Sequence, residues 1–312
     1  MRTHTNWTGL TEKDRGASVA LGNFDGIHLG HQAVIDVARG LARSLGQPLG
    51  MVTFEPHPRQ FFAPGSPAFR LMNAEARANR LEKLGVEQLY VLPFDATLAG
   101  MSAEDFARTV LANGLGVSHV TVGADFRFGK GRLGNAETLA GLGRALGFGV
   151  TVAPLVALGG HEISSAAIRA ALSEGRPGDA ARMLGHWHRI EGEVLHGEKR
   201  GRELGYPTAN MALGGLHLPR FGVYAVKVDV LTGPQSGSYK GAASLGVRPM
   251  FGENLPNLET YLLDFEGDLY GRHLSVALVD YLRPEMTFDG LPALMTQMAA
   301  DVARVREILQ TA

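Results

Sequence analysis

The sequence predicts two consecutive domains: an open parallel α/β sheet with helices on both faces, then a small antiparallel β-barrel or sandwich with a terminal helix. Three observations carry this. Through the first half, short apolar runs alternate with segments of helical period, the pattern of a parallel sheet covered by helices. After the helical segment Asp179–Leu184, which Gly185 stops, period-two alternation takes over, broken by Gly, Pro, Asn and Asp clusters. A chain of 312 residues also exceeds what one core usually organises. The expected domains are 1–185 and 186–312.

In the first domain the expected strands are Val19–Phe24, Leu49–Phe54, Gln88–Phe94, His119–Gly123 and Val150–Val156. Between the first two, Val34, Val37, Ala38, Leu41 and Leu45 fall on one helical face that Gly46 terminates. Ser102 and Asp105 read as a capping box opening a further helix. Right-handed crossovers between such strands place a ligand crevice beyond the carboxyl ends of the sheet. In the second domain Val226, Val228 and Val230 alternate with Lys227 and Asp229, the mark of a half-buried strand. Tyr239–Val247, Leu258–Phe265 and Leu274–Leu282 are further strands. Leu291, Leu294, Met295, Met298, Val302, Val305 and Leu309 form one helical stripe, a helix packed on the barrel.

Composition narrows the function. The chain carries 30 Lys+Arg against 31 Asp+Glu, which removes the broad basic surface of a nucleic-acid binder. With no cysteine, disulfides, thiolate metal sites, Fe–S clusters and thiol nucleophiles are excluded. Met1–Gly16 lacks the apolar core of an export signal, and the longest uncharged stretch, between Arg144 and His161, is broken by Gly and Pro. The expectation is a cytoplasmic protein with no membrane or nucleic-acid partner.

The first chemistry-bearing block follows the first strand: Gly22, Asn23, Phe24, Asp25, Gly26, Ile27, His28, Leu29, Gly30 and His31, then the amphipathic helix. A helix N-terminus presents free N–H groups and partial positive charge, Gly26 and Gly30 admit a phosphate to the backbone, and two imidazoles donate to a reacting phosphoryl group. Three more polar clusters follow strands at the same edge: Glu55–Arg59 with His57, Asp125–Lys130 with Phe128, and Ser164, Ser165 and Arg169. Their convergence on one crevice is the argument for a site, with N-capping the alternative for Ser164 and Ser165. Gly129, Gly131 and Gly134 imitate a dinucleotide fingerprint. That motif normally follows the first strand and needs an acidic residue about 20 positions on, yet Thr138–His161 has none. A nicotinamide dehydrogenase is therefore the weaker reading, and a loop presenting Lys130 and Arg132 the preferred one.

The second block runs Gly197, Glu198, Lys199, Arg200, Gly201, Arg202, Glu203, Leu204, Gly205, Tyr206, Pro207, Thr208, Ala209 and Asn210. Cations interleaved with glycines suit a polyphosphate, and Thr208 and Asn210 offer oxygens suited to Mg²⁺; a polar hairpin is the alternative. Glu259, read as sharing a strand face with Tyr261, Leu263 and Phe265, is a carboxylate among apolar groups, either a general base or the partner of Arg248 or Arg283.

These blocks, in this order, resemble the bacterial bifunctional riboflavin kinase/FMN adenylyltransferases, also called FAD synthetases. The likeness runs from Val19 to the C-terminal helix and rests on Gly22–His31, Thr53–Pro58, Val122–Gly134, Ile163–Arg169 and Gly201–Asn210, then the Glu259 strand and the Asp268–Gly271 turn. It implies a Rossmann-like nucleotidylyltransferase domain that makes FAD from FMN and ATP, and a riboflavin kinase β-barrel that makes FMN from riboflavin and ATP. By the same resemblance His28 and His31 stabilise the reacting phosphates with Asn23 nearby, and Ser164, Ser165 and Arg169 hold the triphosphate. Asp125 and Phe128 place flavin or nucleotide, Thr208 and Asn210 bind Mg²⁺ and phosphates, and Glu259 accepts the ribityl hydroxyl proton. Gly26, Gly30, His57, Lys199 and Gly205 complete the expected binding residues of a monomer or weak homo-oligomer. Tyr206, Trp187 and Met250 depart from the commoner pattern. A flavin storage or sensory protein, which consumes no ATP, is the competing class.

Overall fold

Six strands of the first half lie parallel in one sheet, as the alternation of apolar runs and helical segments requires. The elements are β1 (Arg2–His4), β2 (Ser18–Leu21), α1 (Leu29–Leu45), β3 (Leu49–Glu55), α2 (Pro58–Phe62), α3 (Ala74–Lys83), β4 (Gln88–Pro93), α4 (Ala96–Gly100), α5 (Ala103–Asp105), β5 (His119–Gly123), β6 (Arg127–Phe128), β7 (Gly134–Asn135), α6 (Ala136–Leu146) and β8 (Gly149–Ala153). This computed structural model describes residues 1–158, 161–196, 205–250 and 253–311. Spatial order in the sheet is β1-β4-β3-β2-β5-β8. Every pairing is parallel. The direction of winding reverses between β2 and β3 on one side and β5 on the other, so the ligand crevice of such a sheet falls at the ends of β2 and β5. β1 was not expected. Its polar residues carry no strand signal; it pairs along Gln88–Tyr90, with His4 Nε2 2.8 Å from Gln88 Oε1 and its ring stacked on Tyr90.

On α1 the buried stripe is Val34, Ile35, Ala38 and Ala42, while Leu45, expected on that stripe, is 48% exposed. Gly46 ends the helix in the left-handed conformation, φ 63°. Ser102 caps α5 by accepting from the Asp105 N–H, but the helix continues as a π-helical stretch, Phe106–Leu115, that buries Phe106, Val110 and Leu111. The last strand ends at Ala153, three residues before the expected limit.

The second half carries β9 (Ala157–Leu158), β10 (His161–Glu162), α7 (Ser165–Ser173), α8 (Pro177–Leu184), β11 (His188–Glu193), β12 (Thr208–Ala212), β13 (Gly222–Val230), β14 (Gly237–Met250), β15 (Glu253–Leu262), β16 (His273–Arg283) and α9 (Leu291–Thr311). β11 to β16 form one antiparallel sheet, ordered β11-β16-β13-β14-β15-β12. It curls until Leu195, just past β11, bridges to Asn210 on β12. Met211, Val226, Val228, Leu245, Leu258 and Leu278 fill its interior. α9 covers the opposite face, burying Val305 and Leu309 against Ala225, Leu263 and Val279. β11 and β12 were not expected. Each is short, and Glu191 and Asn210 interrupt the apolar alternation that marks strands.

The chain divides into two compact units, Met1–Pro67 with Ala78–Ile163, and Ala68–Arg77 with Ser164–Ala312. Within the second, Asn73 Nδ2 donates to the Glu191 carbonyl at 2.7 Å and His273 Nδ1 meets the Glu75 carboxylate at 2.7 Å. Leu71 packs in a cluster with Ile168, Leu172 and Leu184 of α7 and α8.

Candidate active sites

The turn between β2 and α1 in the first unit is held by burial. Phe24 and Ile27 adopt left-handed φ values of 52° and 44°, rare for bulky side chains. Both are essentially inaccessible, so the core fixes the strained backbone that presents the next residues. His28 then caps α1, its Nδ1 accepting from the His31 N–H at 3.3 Å. The two rings stack with centroids 3.6 Å apart at 17°. Phe24 meets His31 edge-on at 5.2 Å. Gly30, expected to admit a phosphate, has another use: a Cβ there would lie 3.1 Å from His28 Nδ1, so the missing side chain makes room for the imidazole. Gly26, with φ 89°, is demanded by its backbone conformation.

Burial lowers the His28 imidazole to about 4, with the negative charge of Asp125 acting against that shift. His31 is lowered well below the usual value by burial and then by His28. Its Nδ1 is buried and has no hydrogen-bond partner among the described residues. Two neutral rings therefore stand at a helix N-terminus, and an entering phosphate would favour their charged, donating form.

The neighbouring strands supply the rest. Thr53 on β3 donates to the Asn23 carbonyl at 3.1 Å, and His57 caps α2 by accepting from the Arg59 N–H at 3.0 Å. Beyond β5, exposed Asp125 bears on His28, and Phe128 is buried, stacking on Phe126 at 5.5 Å. The carbonyl of Ile163, at the limit of this unit, lies 3.9 Å from where a Gly30 Cβ would stand. The glycine imitation of a dinucleotide loop is a β6–β7 hairpin. A Cβ on Gly129 would strike the Ala103 backbone at 2.7 Å, and one on Gly134 the Phe128 ring at 2.7 Å. These glycines serve close packing.

Ser164, Ser165 and Arg169 fall in the second unit. Ser164 caps α7, its Oγ accepting from the Ala167 N–H at 3.2 Å, and Arg169 Nη1 donates to the Phe69 carbonyl at 3.3 Å.

The second constellation lies on the outer face of the β12–β15 pair. Thr208 stands opposite Tyr261 and Asn210 opposite Glu259. Directly paired residues share a face, so all four project together, away from Ala209, Met211, Leu258 and Leu262 of the interior. The expected company of Glu259 is kept in part: on its face Tyr261 and buried Leu263 pack in the cluster that α9 covers, whereas Phe265, beyond the turn at Asp264 with φ 55°, packs against the interior cluster. Arg283 is engaged elsewhere, its guanidinium 2.6 Å from the Asp301 carboxylate. Among the described residues the Glu259 carboxylate has no hydrogen bond or ion pair. The side chain of Arg248 lies outside the described residues.

Tyr206 meets Tyr261 edge-on at 5.2 Å, and Gly205 before it has φ 80°. Thr208 and Asn210 border a cavity of about 410 Å³, completed by Val194, Pro207, Ala209, Leu262 and the Phe265–Tyr270 turn. Lys199 and the cationic run 197–204 lie outside the described residues, as does the side chain of Met250. Two polar groups of this face escaped the sequence reading: Ser244, opposite Glu259 on β14, and Asn257, two residues before it. A period-two count back from Glu259 finds Asn257; Ser244 needs the strand register.

A FAD synthetase family model matches residues 10–167 and a riboflavin kinase model residues 184–309. A bifunctional riboflavin kinase/FMN adenylyltransferase from Pseudomonas fluorescens is 43% identical over 96% of this chain and 95% of its own length. Its Escherichia coli K12 counterpart is 37% identical over 94% and 92%. A crystal structure described as a macrolide-efflux protein from Streptococcus pneumoniae matches with TM-score 0.83 and 31% identity over 98% of both chains. Among the described residues no helix is long and apolar enough to cross a membrane. With the two family models matched in succession along the chain, and relatives matching over nearly their whole length, the chain belongs to the bifunctional riboflavin kinase/FMN adenylyltransferase family.

Proposed function

We propose that the chain makes FMN and then FAD, with the two constellations as its two active sites and the functional domains divided at 185/186. The observation that carries the reading is the β12–β15 register, which sets Asn210 beside Glu259 and Thr208 beside Tyr261 on one face at the edge of a cavity. At this site riboflavin's ribityl 5′-hydroxyl attacks the γ-phosphorus of ATP. The new O–P bond forms as the bond to the β-phosphate oxygen breaks, ADP leaves, and Glu259 accepts the hydroxyl proton. The Thr208 hydroxyl and the Asn210 carbonyl oxygen are hard donors two residues apart on one strand face, and they fit Mg²⁺. The ion, when bound, offsets the charge of the phosphates. Gly205 and Lys199 complete the phosphate-binding residues of this reading.

At the first site an oxygen of the FMN phosphate attacks the α-phosphorus of ATP and pyrophosphate leaves. No covalent enzyme intermediate is required, so positioning and charge stabilisation do the chemistry. His28 and His31 donate to the reacting phosphates at the N-terminus of α1, with Asn23, Gly26 and Gly30 shaping the turn. Asp125, Phe128 and His57 border the flavin and nucleotide, and Ser164, Ser165 and Arg169 hold the triphosphate. The same reading gives a cytoplasmic enzyme that is a monomer or weak homo-oligomer. Incubation of the purified chain with riboflavin, ATP and Mg²⁺, followed by separation of the flavins, should yield FMN and then FAD. Absence of FMN at every Mg²⁺ concentration would end the kinase reading, and flavin binding without ATP turnover would favour a storage protein.

A further inference from the structure

We infer that Asn257 is a positioning residue of the kinase site, holding the Asn210 amide with its oxygen turned to the metal. The inference rests on the reading of Asn210 as a Mg²⁺ ligand. Asn257 is 1% exposed and stands on β15 two residues before Glu259, on the same outer face, diagonal to Asn210 across the strand pair. Its Nδ2 donates to Asn210 Oδ1 at 3.3 Å, and Asn210 Nδ2 in turn donates to the Thr208 carbonyl at 3.4 Å.

With the Asn257 donor facing it, the Asn210 amide has one matched orientation. Turned over, Asn210 would set its own N–H groups against those of Asn257 and its oxygen against the Thr208 carbonyl, donor on donor and acceptor on acceptor. An amide oxygen has two lone pairs, so the bond from Asn257 leaves one for a cation. Partners that orient a metal-binding side chain in this way tune affinity although they never touch the ion.

A purely structural role fits poorly. Asn257 Oδ1 is buried without a hydrogen-bond partner among the described residues, and a buried acceptor left unmatched weakens a fold. An apolar or β-branched residue would suit this depth of strand better. What Asn257 supplies that those residues lack is the donor aimed at Asn210.

The test uses the full chain with the first site filled by saturating FAD. ADP binding is titrated calorimetrically over a range of Mg²⁺ concentrations in wild type, Asn257→Leu, Asn257→Thr, Asn210→Ala and the double variant Asn210→Ala/Asn257→Leu. Asn257→Leu and Asn257→Thr should raise the Mg²⁺ concentration for half-maximal ADP binding about tenfold or more, with metal-free ADP binding unchanged. In the Asn210→Ala background, Asn257→Leu should add nothing further. A shift by Asn210→Ala with wild-type Mg²⁺ dependence in both Asn257 variants overturns the inference and leaves the Asn210 reading standing. An additive effect in the double variant overturns it too. If Asn210→Ala itself leaves the Mg²⁺ dependence unchanged, the ligand reading fails first. Circular dichroism identifies a variant that does not fold, and the two Asn257 replacements differ enough in size and polarity for at least one to report.

Discussion

The first site hangs on turns at the ends of β2, β3 and β5, with two histidine rings in contact, whereas the second lies on one face of a single strand pair and its described groups include no histidine. In the first, position comes from strained backbone pinned by buried Phe24 and Ile27. In the second it comes from strand register, which sets Asn210 against Glu259. Turn-built sites gather residues near in sequence; register-built sites join residues about 50 apart. The charge logic differs as well. Adenylyl transfer by FMN moves no proton to the protein, so donors suffice, but the kinase step releases a hydroxyl proton and needs an acceptor.

The sharpest way to break this comparison is to remove one group from each site. His28→Ala should cut FAD formation by about 10²- to 10⁴-fold while FMN formation continues, and Glu259→Ala should do the reverse by a similar factor. Each variant is assayed separately for FMN formation from riboflavin and for FAD formation from supplied FMN, both with ATP and Mg²⁺, by separating the flavins. Equal loss of both products in either variant would show that the two sites do not work separately.

The two faces of β15 offer a second contrast. Leu258 is fully buried in the barrel interior, so Leu258→Ala should cost about 2–5 kcal/mol. Glu259→Ala, one residue on, should cost less than about 1 kcal/mol, because among the described residues its carboxylate holds no bond to lose. Urea denaturation of the two variants measures both. A large loss with Glu259→Ala would make it a structural ion pair after all.

How much of this was legible in the sequence follows the same division. The strand-turn-helix around His28 could be read because apolar run, glycines and amphipathic stripe are contiguous. Glu259 was singled out for its odd company, and Tyr261 and Leu263 keep it company in the cluster under α9; Phe265 does not, because a turn at Asp264 that only tertiary packing imposes carries it to the interior. β11 and β12 escaped notice because polar residues such as Arg189, Glu191 and Asn210 find partners through a register that no local window contains. Ser164 turned out to serve as the cap of α7 that its alternative reading proposed. Asn257 can be found by counting back from Glu259 along the strand, but it gains meaning only once Asn210 stands beside it.

Acid should weaken the fold through its neutral histidines. His28 is lowered to about 4 and His188, buried in the second unit, to about 3, each chiefly by burial, against 6.5 in an exposed ring. A lowered imidazole is neutral when folded and takes up its proton on unfolding. Stability is therefore full above pH 6.5 and falls as pH drops toward 4 for His28 and 3 for His188, by about 1.4 kcal/mol per pH unit for each group. Urea midpoints at pH 7.5, 6 and 5 should show this slope. His188→Leu should flatten it with or without ATP. In wild type ATP should flatten the share of His28 and of His31, which burial also lowers, since a bound phosphate favours their protonated rings, and should leave the His188 share. A slope untouched by His188→Leu would contradict the assignment.

The smallest expected effects come from one glycine in each site, and they test whether turn and register differ in tolerance. At Gly30 a Cβ would stand 3.1 Å from the His28 ring, closer than ordinary contact, so Gly30→Ala must push the imidazole by a few tenths of an ångström. Misplacing a group that bears on a reacting phosphate is costly, and FAD formation should fall about tenfold with FMN formation untouched. At Gly205 nothing lies within 4 Å of the new Cβ, and the obstacle is φ of 80°. Gly205→Ala should therefore cost about 1–2 kcal/mol locally while β12 stays in register. Its effect should appear in the KM for ATP in FMN formation, by about threefold or less, with kcat near wild type. A fall in kcat for FMN formation as large as the Gly30→Ala loss would mean that the kinase site, too, is positioned by its turn and not by the strand pair.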